Sequence, residues 1–438
     1  MKDLRPIIAA VALMILPLFG AAAQNTTADT GYSPYSVFGI GDLAKSGSAY
    51  NTAMGGIGIG DRNIRYINYL NPAAVTARQM KSFMMDFGVK ENNVYFAARP
   101  DGADKTLHSA NNVFNMDHIV LSFPMWKNSA FKFGITPYSS TGYRFKSREA
   151  RDEIVSEMGD IEYYQLGQGG VSKGFVGAGA TFFKRLSLGV DGEYYFGNIS
   201  RYTAASFNTS SSYRSINSGW NYTLRGLGVK FGMQYEQPIG KKLIATVGAT
   251  YSLASKINGE VNRFAYGAHS SSSDTIVNKT VKLDGYESPA ELGVGFTLRA
   301  SDESWLFGFD YTDQDWTKSV LDPAPGTEFS PARTRAFRGG FEFTPNRYDM
   351  RYWFKHITYR AGAYHELSYY SFNGFQVAST GVTLGFSIPV FRYFNSVNFA
   401  LDLGQRGSLA NNLVRERYFK FTVSFALHDI WFLKPMYE

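Results

Sequence analysis

Apolar and polar residues alternate with a period of two through much of this chain. Leu243, Ala245, Val247, Ala249, Tyr251 and Leu253 share one face, and Ile244, Thr246, Gly248, Thr250 and Ser252 the other. The pattern returns where Leu292, Val294, Phe296 and Leu298 oppose Gly293, Gly295, Thr297 and Arg299. It returns again where Trp305, Phe307, Phe309 and Tyr311 oppose Leu306, Gly308, Asp310 and Thr312, and where Val397, Phe399, Leu401 and Leu403 oppose Asn398, Ala400, Asp402 and Gly404. Successive strand side chains point to opposite faces, so runs of about 10 such residues describe strands with one apolar and one polar side. A soluble sandwich alternates too, but two features point to a membrane barrel. The apolar faces end in aromatic residues, as interface girdles do. The connections alternate in length: 237–242, 300–303 and 389–395 are short, while 255–289, 314–333 and 406–415 are longer. Tight periplasmic turns and long outer loops give that rhythm. Strands are expected near 81–99, 115–126, 130–146, 161–183, 186–199, 219–236, 243–255, 290–299, 304–313, 334–344, 355–368, 375–390, 396–405 and 417–427. That is an all-β, fourteen-stranded antiparallel transmembrane β-barrel, and the even number returns both ends to the periplasmic side.

The first residues change the reading of compartment. Lys2 and Arg5 precede an apolar run from Ile7 to Phe19, and Ala21-Ala22-Ala23 follows. This is the layout of a secretory signal peptide over 1–23, and the run is too short for a spanning helix. The chain has no cysteine, so disulfides and thiolate metal sites are out. Aromatic residues make up 16% and glycine reaches 44 copies, which suits a barrel in a bacterial outer membrane. The formal charge of +7 is scattered rather than run together, which argues against a nucleic-acid partner. Residues 24–80 are Gly-rich and broken by turn residues. They are read as an N-terminal plug inside the lumen, ahead of a barrel over 81–427. Residues 428–438, with Trp431, Phe432 and Lys434, are read as a periplasmic tail at the interface.

The plug region carries Ser36-Val37-Phe38-Gly39-Ile40-Gly41-Asp42-Leu43, then Ala53-Met54-Gly55-Gly56-Ile57-Gly58, then Asn71-Pro72-Ala73. Together with the strand count these resemble the FadL-type outer-membrane transporters of long-chain fatty acids and aromatic hydrocarbons, whose plug signature is the Asn-Pro-Ala triplet. The end, Asp429-Ile430-Trp431-Phe432-Leu433-Lys434, resembles that of a mostly uncharacterised branch. The chain departs from usual outer-membrane barrels in not ending on an aromatic residue, so its assembly signal is expected in the strand ending at Phe425 or Leu427. The resemblance implies passive transport: a hydrophobic ligand is caught among outer loops, held against the plug, and released sideways through the wall. It implies a hydrophobic small molecule or lipid as ligand, outer-membrane lipids as surroundings, no cofactor and no enzymatic activity.

Candidate chemistry is sparse. Gly55-Gly56-Ile57-Gly58-Ile59-Gly60 superficially resembles a phosphate loop, but no Gly-Lys-Ser/Thr follows. Glycines that let a plug backbone pack tightly are the better account. Asn71, Pro72 and Ala73 fit a plug turn, although Asn-Pro starts turns anywhere. His108, His118, His269, His356, His365 and His428 show no metal-ligand spacing. Asp191, Glu193, Lys230, Glu236, Arg299, Asp310, Arg338, Glu342, Asp402 and Lys420 fall on polar faces. They suit a salt-bridged lumen, or one cation among them could pin a ligand carboxylate. The run His269–Ser273 reads as a mobile loop tip. Tyr364, Tyr369, Tyr370, Phe372 and Phe375 suit either an outer capture surface or an interface girdle. The rival to transport is a barrel acting as subunit or scaffold of an outer-membrane protein assembly or secretion complex, with other outer-membrane proteins as partners.

Overall fold

A chain whose strands each have one apolar and one polar face can satisfy its backbone in a membrane only by closing the sheet on itself. The computed structural model, which describes residues 32–79, 81–99, 105–207, 213–269, 272–319, 329–349, 351–390 and 394–430, does so. Of the strands among the described residues, β1 (Asp42–Leu43), β9 (Ser255–His269), β10 (Ser272–Ser288) and β13 (Phe329–Pro331) are additions to the wall, which consists of β2 (Ser82–Ala98), β3 (Leu107–Trp126), β4 (Ser129–Arg148), β5 (Ile161–Phe182), β6 (Leu186–Phe207), β7 (Ser215–Ile239), β8 (Leu243–Ser252), β11 (Glu291–Ala300), β12 (Trp305–Asp315), β14 (Arg333–Phe343), β15 (Thr358–Phe372), β16 (Phe375–Pro389), β17 (Ser396–Arg406) and β18 (Val414–Ile430). Each pairs antiparallel with its neighbours, and β18 closes on β2 from Val414↔Ala98 to Ile430↔Ser82. This is the fourteen-stranded barrel expected from the alternation. The signal-peptide reading over 1–23 and the first plug residues lie outside the described residues.

The two faces sort as the pattern demands. Val247, Leu292, Phe307 and Phe341 lie on the exposed outer wall, while Thr246, Thr297, Asp310 and Glu342 point inward and are buried. Strand length is uneven. β8 and β11 have 10 residues each, enough to cross a bilayer, whereas β5, β6 and β7 have 22, 22 and 25 and rise well beyond it.

Four expectations need correction. The long connection 255–289 is a hairpin, β9 (Ser255–His269) and β10 (Ser272–Ser288), which continues the sheet above the wall. The run His269–Ser273 is therefore the turn of that hairpin, with 270–271 outside the described residues. His428–Ile430, read as the start of a tail, belongs to β18, and 431–438 lie outside the described residues. The β14–β15 connection breaks the short-turn rhythm: it runs to Thr358 and includes a 3-10 turn, Trp353–His356. Lastly, Tyr364, Tyr369, Tyr370 and Phe372 are buried inside the barrel, forming neither a capture surface nor a girdle; only Phe375 is exposed. A register shift between Leu367 and Ser371 lets adjacent residues of β15 both turn inward.

Candidate functional site

The interior is built from the N-terminal segment outward. Residues 32–79 run among the inward faces of the strands in short pieces: a 3-10 turn Pro34–Val37, the two-residue strand β1 (Asp42–Leu43), one helical turn α1 (Ala49–Thr52) and a second 3-10 turn, Pro72–Thr76. Asn71 caps the last one. Its Oδ1 accepts the Ala73 N–H at 3.0 Å, and its Nδ2 donates to Ile59 O at 2.8 Å and, across to the wall, to Met233 O at 3.1 Å. Pro72 supplies the fixed φ of a first helical position, where no N–H is needed. A short amide followed by proline is thus what lets one residue start a turn and tie it to β7. Asn71, Pro72 and Ala73 are all buried and away from the cavity described below.

The glycine run is a close-approach device. Gly55, at φ +73°, lies so near β14 and β15 that a Cβ would stand 2.7 Å from both Gly339 O and Ala363 O. A Cβ on Gly58 would be 2.5 Å from Leu70 Cδ1. The N–H groups of Gly58 and Ile59 donate to one carboxylate oxygen of Asp310, at 2.7 and 2.8 Å. Of the six plug-motif residues Gly55, Gly56, Gly58, Asn71, Pro72 and Ala73, Gly56 alone borders the cavity, beside Arg338. Wall glycines answer these contacts: Cβ atoms on Gly189 and Gly232 would press into the Asn71-Pro72 turn at 2.4 and 2.1 Å.

Toward the outer end the segment becomes apolar. Tyr35, Phe38 and Ile40 pack with Trp316, Tyr369 and Phe372, and the hydroxyls of Tyr369 and Tyr370 donate to Gly41 O at 2.5 and 2.8 Å. Arg406 ties the same region down, bonding Asp42 at 2.6 Å, Glu416 at 2.6 Å and Ser33 Oγ at 2.7 Å.

Among the described residues the wall parts between β3 and β4. β3 and β4 pair only from Trp126↔Ser129 up to Ile119↔Ile135. Above that, β4 shifts register between Pro137 and Ser139 and pairs with β1 instead, Leu43↔Ser139 and Asp42↔Ser140. Ala44 N and Ser33 N extend the link to Tyr138 O and Gly142 O. Leu107–His118 keeps β2 but has no β4 partner among the described residues. Pro137 has no N–H to give a neighbouring strand, which suits it to the break. In the sequence, that proline inside a strand was the one available sign.

A cavity of about 590 Å³ leads to this break. Lys45, Lys90, Lys173, Lys230 and Lys420 line it together with Asp117, Glu193, Glu291 and Glu366, and Asn111, Met116, Ile135 and Pro137 form its border at the break. Outside the wall lies an almost wholly apolar groove of about 660 Å³, lined by Leu121, Phe133, Phe175, Val176 and Leu227; Ile135 and Glu193 border both spaces.

The inward charges read from the sequence are largely partnered. Lys132 meets Asp191 at 3.0 Å, Lys173 meets Glu193 at 2.9 Å, Arg299 meets Glu236 at 2.9 Å, Arg338 meets Glu366 at 2.8 Å and Arg360 meets Glu342 at 2.8 Å. Lys230 reaches Glu291 at 3.7 Å, Lys45 reaches Asp402 at 3.7 Å, and Lys420 sits over the Tyr418 ring at 4.3 Å. His118 is fully buried between Asp86 at 3.3 Å and Asp117 at 2.9 Å, with the Tyr69 ring tilted beside it. In the segment, Asp61 is buried and accepts from Tyr50; burial raises its carboxyl to about 7. Among the described residues no group of three or more His, Asp or Glu is placed to hold a metal.

Solved structures share this architecture. The monoaromatic hydrocarbon channel CymD aligns over 89% of this chain and 99% of its own, at 16% identity and TM-score 0.57. The toluene transporter TbuX of Ralstonia pickettii aligns over 87% and 98%, at 13% and 0.56; a FadL homologue of Pseudomonas aeruginosa over 89% and 100%, at 9% and 0.56. At these identities the likeness is one of fold, a barrel type of bacterial outer membranes, and the FadL-type resemblance holds at that level. No curated protein matches the sequence. The family model BamG matches residues 4–438, and the chain therefore belongs to the BamG family.

Proposed function

We propose that this barrel passes an amphiphilic molecule, lipid-like with a polar head, between the cell exterior and the outer membrane, with residues 32–79 acting as its plug. The observation that carries this reading is the break between β3 and β4, where Ile135 borders both the lumen cavity and the outer apolar groove. An alkyl chain leaving there enters hydrocarbon directly and avoids the charged lumen, at about 0.8 kcal/mol per CH₂ kept from water. The charged lining favours a molecule with a polar head over a bare hydrocarbon. The fold neighbours named as hydrocarbon and toluene channels support a hydrophobic cargo, and fatty acids fit both requirements. Neither an energy source nor a cofactor is required.

A second reading, a subunit of an outer-membrane protein assembly, is favoured by one observation. The apolar side chains of the outer half, such as Phe38, Ile40, Trp316 and Phe372, pack against one another instead of lining an open chamber. Mass spectrometry of the gently purified barrel, read for bound lipids and for co-purifying proteins, separates the two. A bound amphiphile, lost when bulky residues close the break, is the expected result. Stoichiometric protein partners without lipid would overturn passage in favour of the second reading.

A further inference from the structure

The β9–β10 hairpin leaves a strand edge open. The membrane half of β7, Lys230–Ile239, pairs with β8, while its outer half, Ser215–Gly226, pairs with β9. β11 takes the other side of β8, and β10 takes the other side of β9. Among the described residues β10 has register partners on β9 alone. Since β8 already spans a membrane thickness, this edge stands outside the hydrocarbon, in water.

Edges of this kind are commonly blunted by bulges and lysines. Here the register shifts lie at the two ends, Thr275/Val277 and Leu283/Tyr286, so Val277–Leu283 stays regular over about 23 Å, at ~3.3 Å per residue. Ile276, Val277 and Val281 are exposed. Lys282 has Glu260 opposite it, but Lys279 has no such partner. Lys279 stands directly opposite Arg263, and Trp220 follows on β7. Like charges directly opposite destabilise a strand pair. Among the described residues neither cation has a carboxylate within ion-pair distance, and both are exposed. An added strand with a carboxylate beside Lys279 would relieve that repulsion while completing the backbone ladder.

We infer that Val277–Leu283 is a docking edge for an extended, acidic segment of a partner protein, which adds to β10 as a further strand and places a carboxylate against Lys279 within reach of Arg263. Main-chain pairing gives such a contact its affinity and the charge its selectivity. A second copy of this chain is a poor occupant: two barrels upright in one membrane are related by an axis along the membrane normal, which cannot set β10 antiparallel to itself.

The test uses the purified full chain in neutral detergent and a dye-labelled octapeptide that alternates valine with threonine and carries two glutamates. Fluorescence anisotropy should show saturable binding, weakened at least about tenfold by Lys279→Glu and by N-methylation of alternate peptide amides. Retention of the heat-dependent gel shift certifies that the variant still folds. Absence of saturable binding overturns the inference. So does a loss below tenfold in either comparison: an N-methylated peptide that still binds reports adsorption of charge alone, as an anionic lipid surface would give, and an indifferent Lys279→Glu places the peptide elsewhere.

Discussion

Gly189→Ala puts one methyl group where the backbone of the N-terminal segment touches the wall. A Cβ there would stand 2.4 Å from Pro72 C, 2.5 Å from Pro72 O and 2.6 Å from Ala73 N. All three are backbone atoms of a turn fixed by Asn71, so no flexible side chain can yield. To reach an ordinary contact of 3.4 Å the turn must withdraw by about 1 Å. That movement breaks the 3.1 Å bond from Asn71 Nδ2 to Met233 O. Overpacking costs about 1–3 kcal/mol, and a buried polar group left unmade costs about 1–3 kcal/mol more. Docking of the turn should weaken by about 2–6 kcal/mol, hence by at least about thirtyfold at ~1.4 kcal/mol per decade. The chain has no cysteine, so Ala74→Cys, at a position 3% exposed, gives a single thiol whose maleimide labelling rate reports opening of the turn. The rate should rise at least about thirtyfold in Gly189→Ala. It should stay unchanged in Gly192→Ala, where a Cβ meets only Val176 O at 3.8 Å. Asn71→Ala removes the cap without adding bulk and should move the rate the same way. If Gly189→Ala labels no faster than the parent, or Gly192→Ala labels as fast, the close packing of segment on wall is wrong.

Other perturbations read different joints. Asp310→Ala strands the Gly58 and Ile59 N–H groups and should cost about 1–3 kcal/mol for each; Asp310→Asn, which keeps one acceptor oxygen, should cost less, as measured by protease resistance of the segment. Asp61 holds its proton to about pH 7 when folded and to about pH 4 when unfolded, so its contribution to stability is full below pH 4 and is lost as pH rises to 7. Asp61→Asn should flatten that part of the pH–melting profile, and an unchanged slope would assign it to another group. Leu43→Cys with Ser139→Cys should form a disulfide between register partners; if passage uses the β3–β4 break, the oxidised protein should take up labelled amphiphile several-fold more slowly and recover on reduction.

What the sequence disclosed and what it hid divide along one physical line. Each wall strand separates two media, so its alternation is a local property, and all fourteen strands could be placed from it. Gly55 was legible for a related reason: contact of backbone with backbone excludes a Cβ wherever it occurs. The hairpin β9–β10 was not, because β10 is exposed on both faces from Asp274 to Lys282 and no apolar stripe is written into Ser272–Ser288. The break between β3 and β4 was hidden for another reason. It is a pairing that fails, and pairing depends on which partner a strand finds; Pro137 removes an N–H, but only β1 arriving from the segment decides where β4 turns. Tyr369 and Tyr370 make the same point from the side of composition. Aromatic rings near the end of a barrel strand suggest lipid when the lumen is assumed wet, and these two face inward because Gly41 O waits there to accept from both hydroxyls. A barrel has no core of its own, so whether an inward position is apolar, charged or empty is decided by the segment that fills it. The features hidden from the sequence therefore lie largely where residues 32–79 meet the wall, a contact between distant parts of the sequence that no periodicity within either one records.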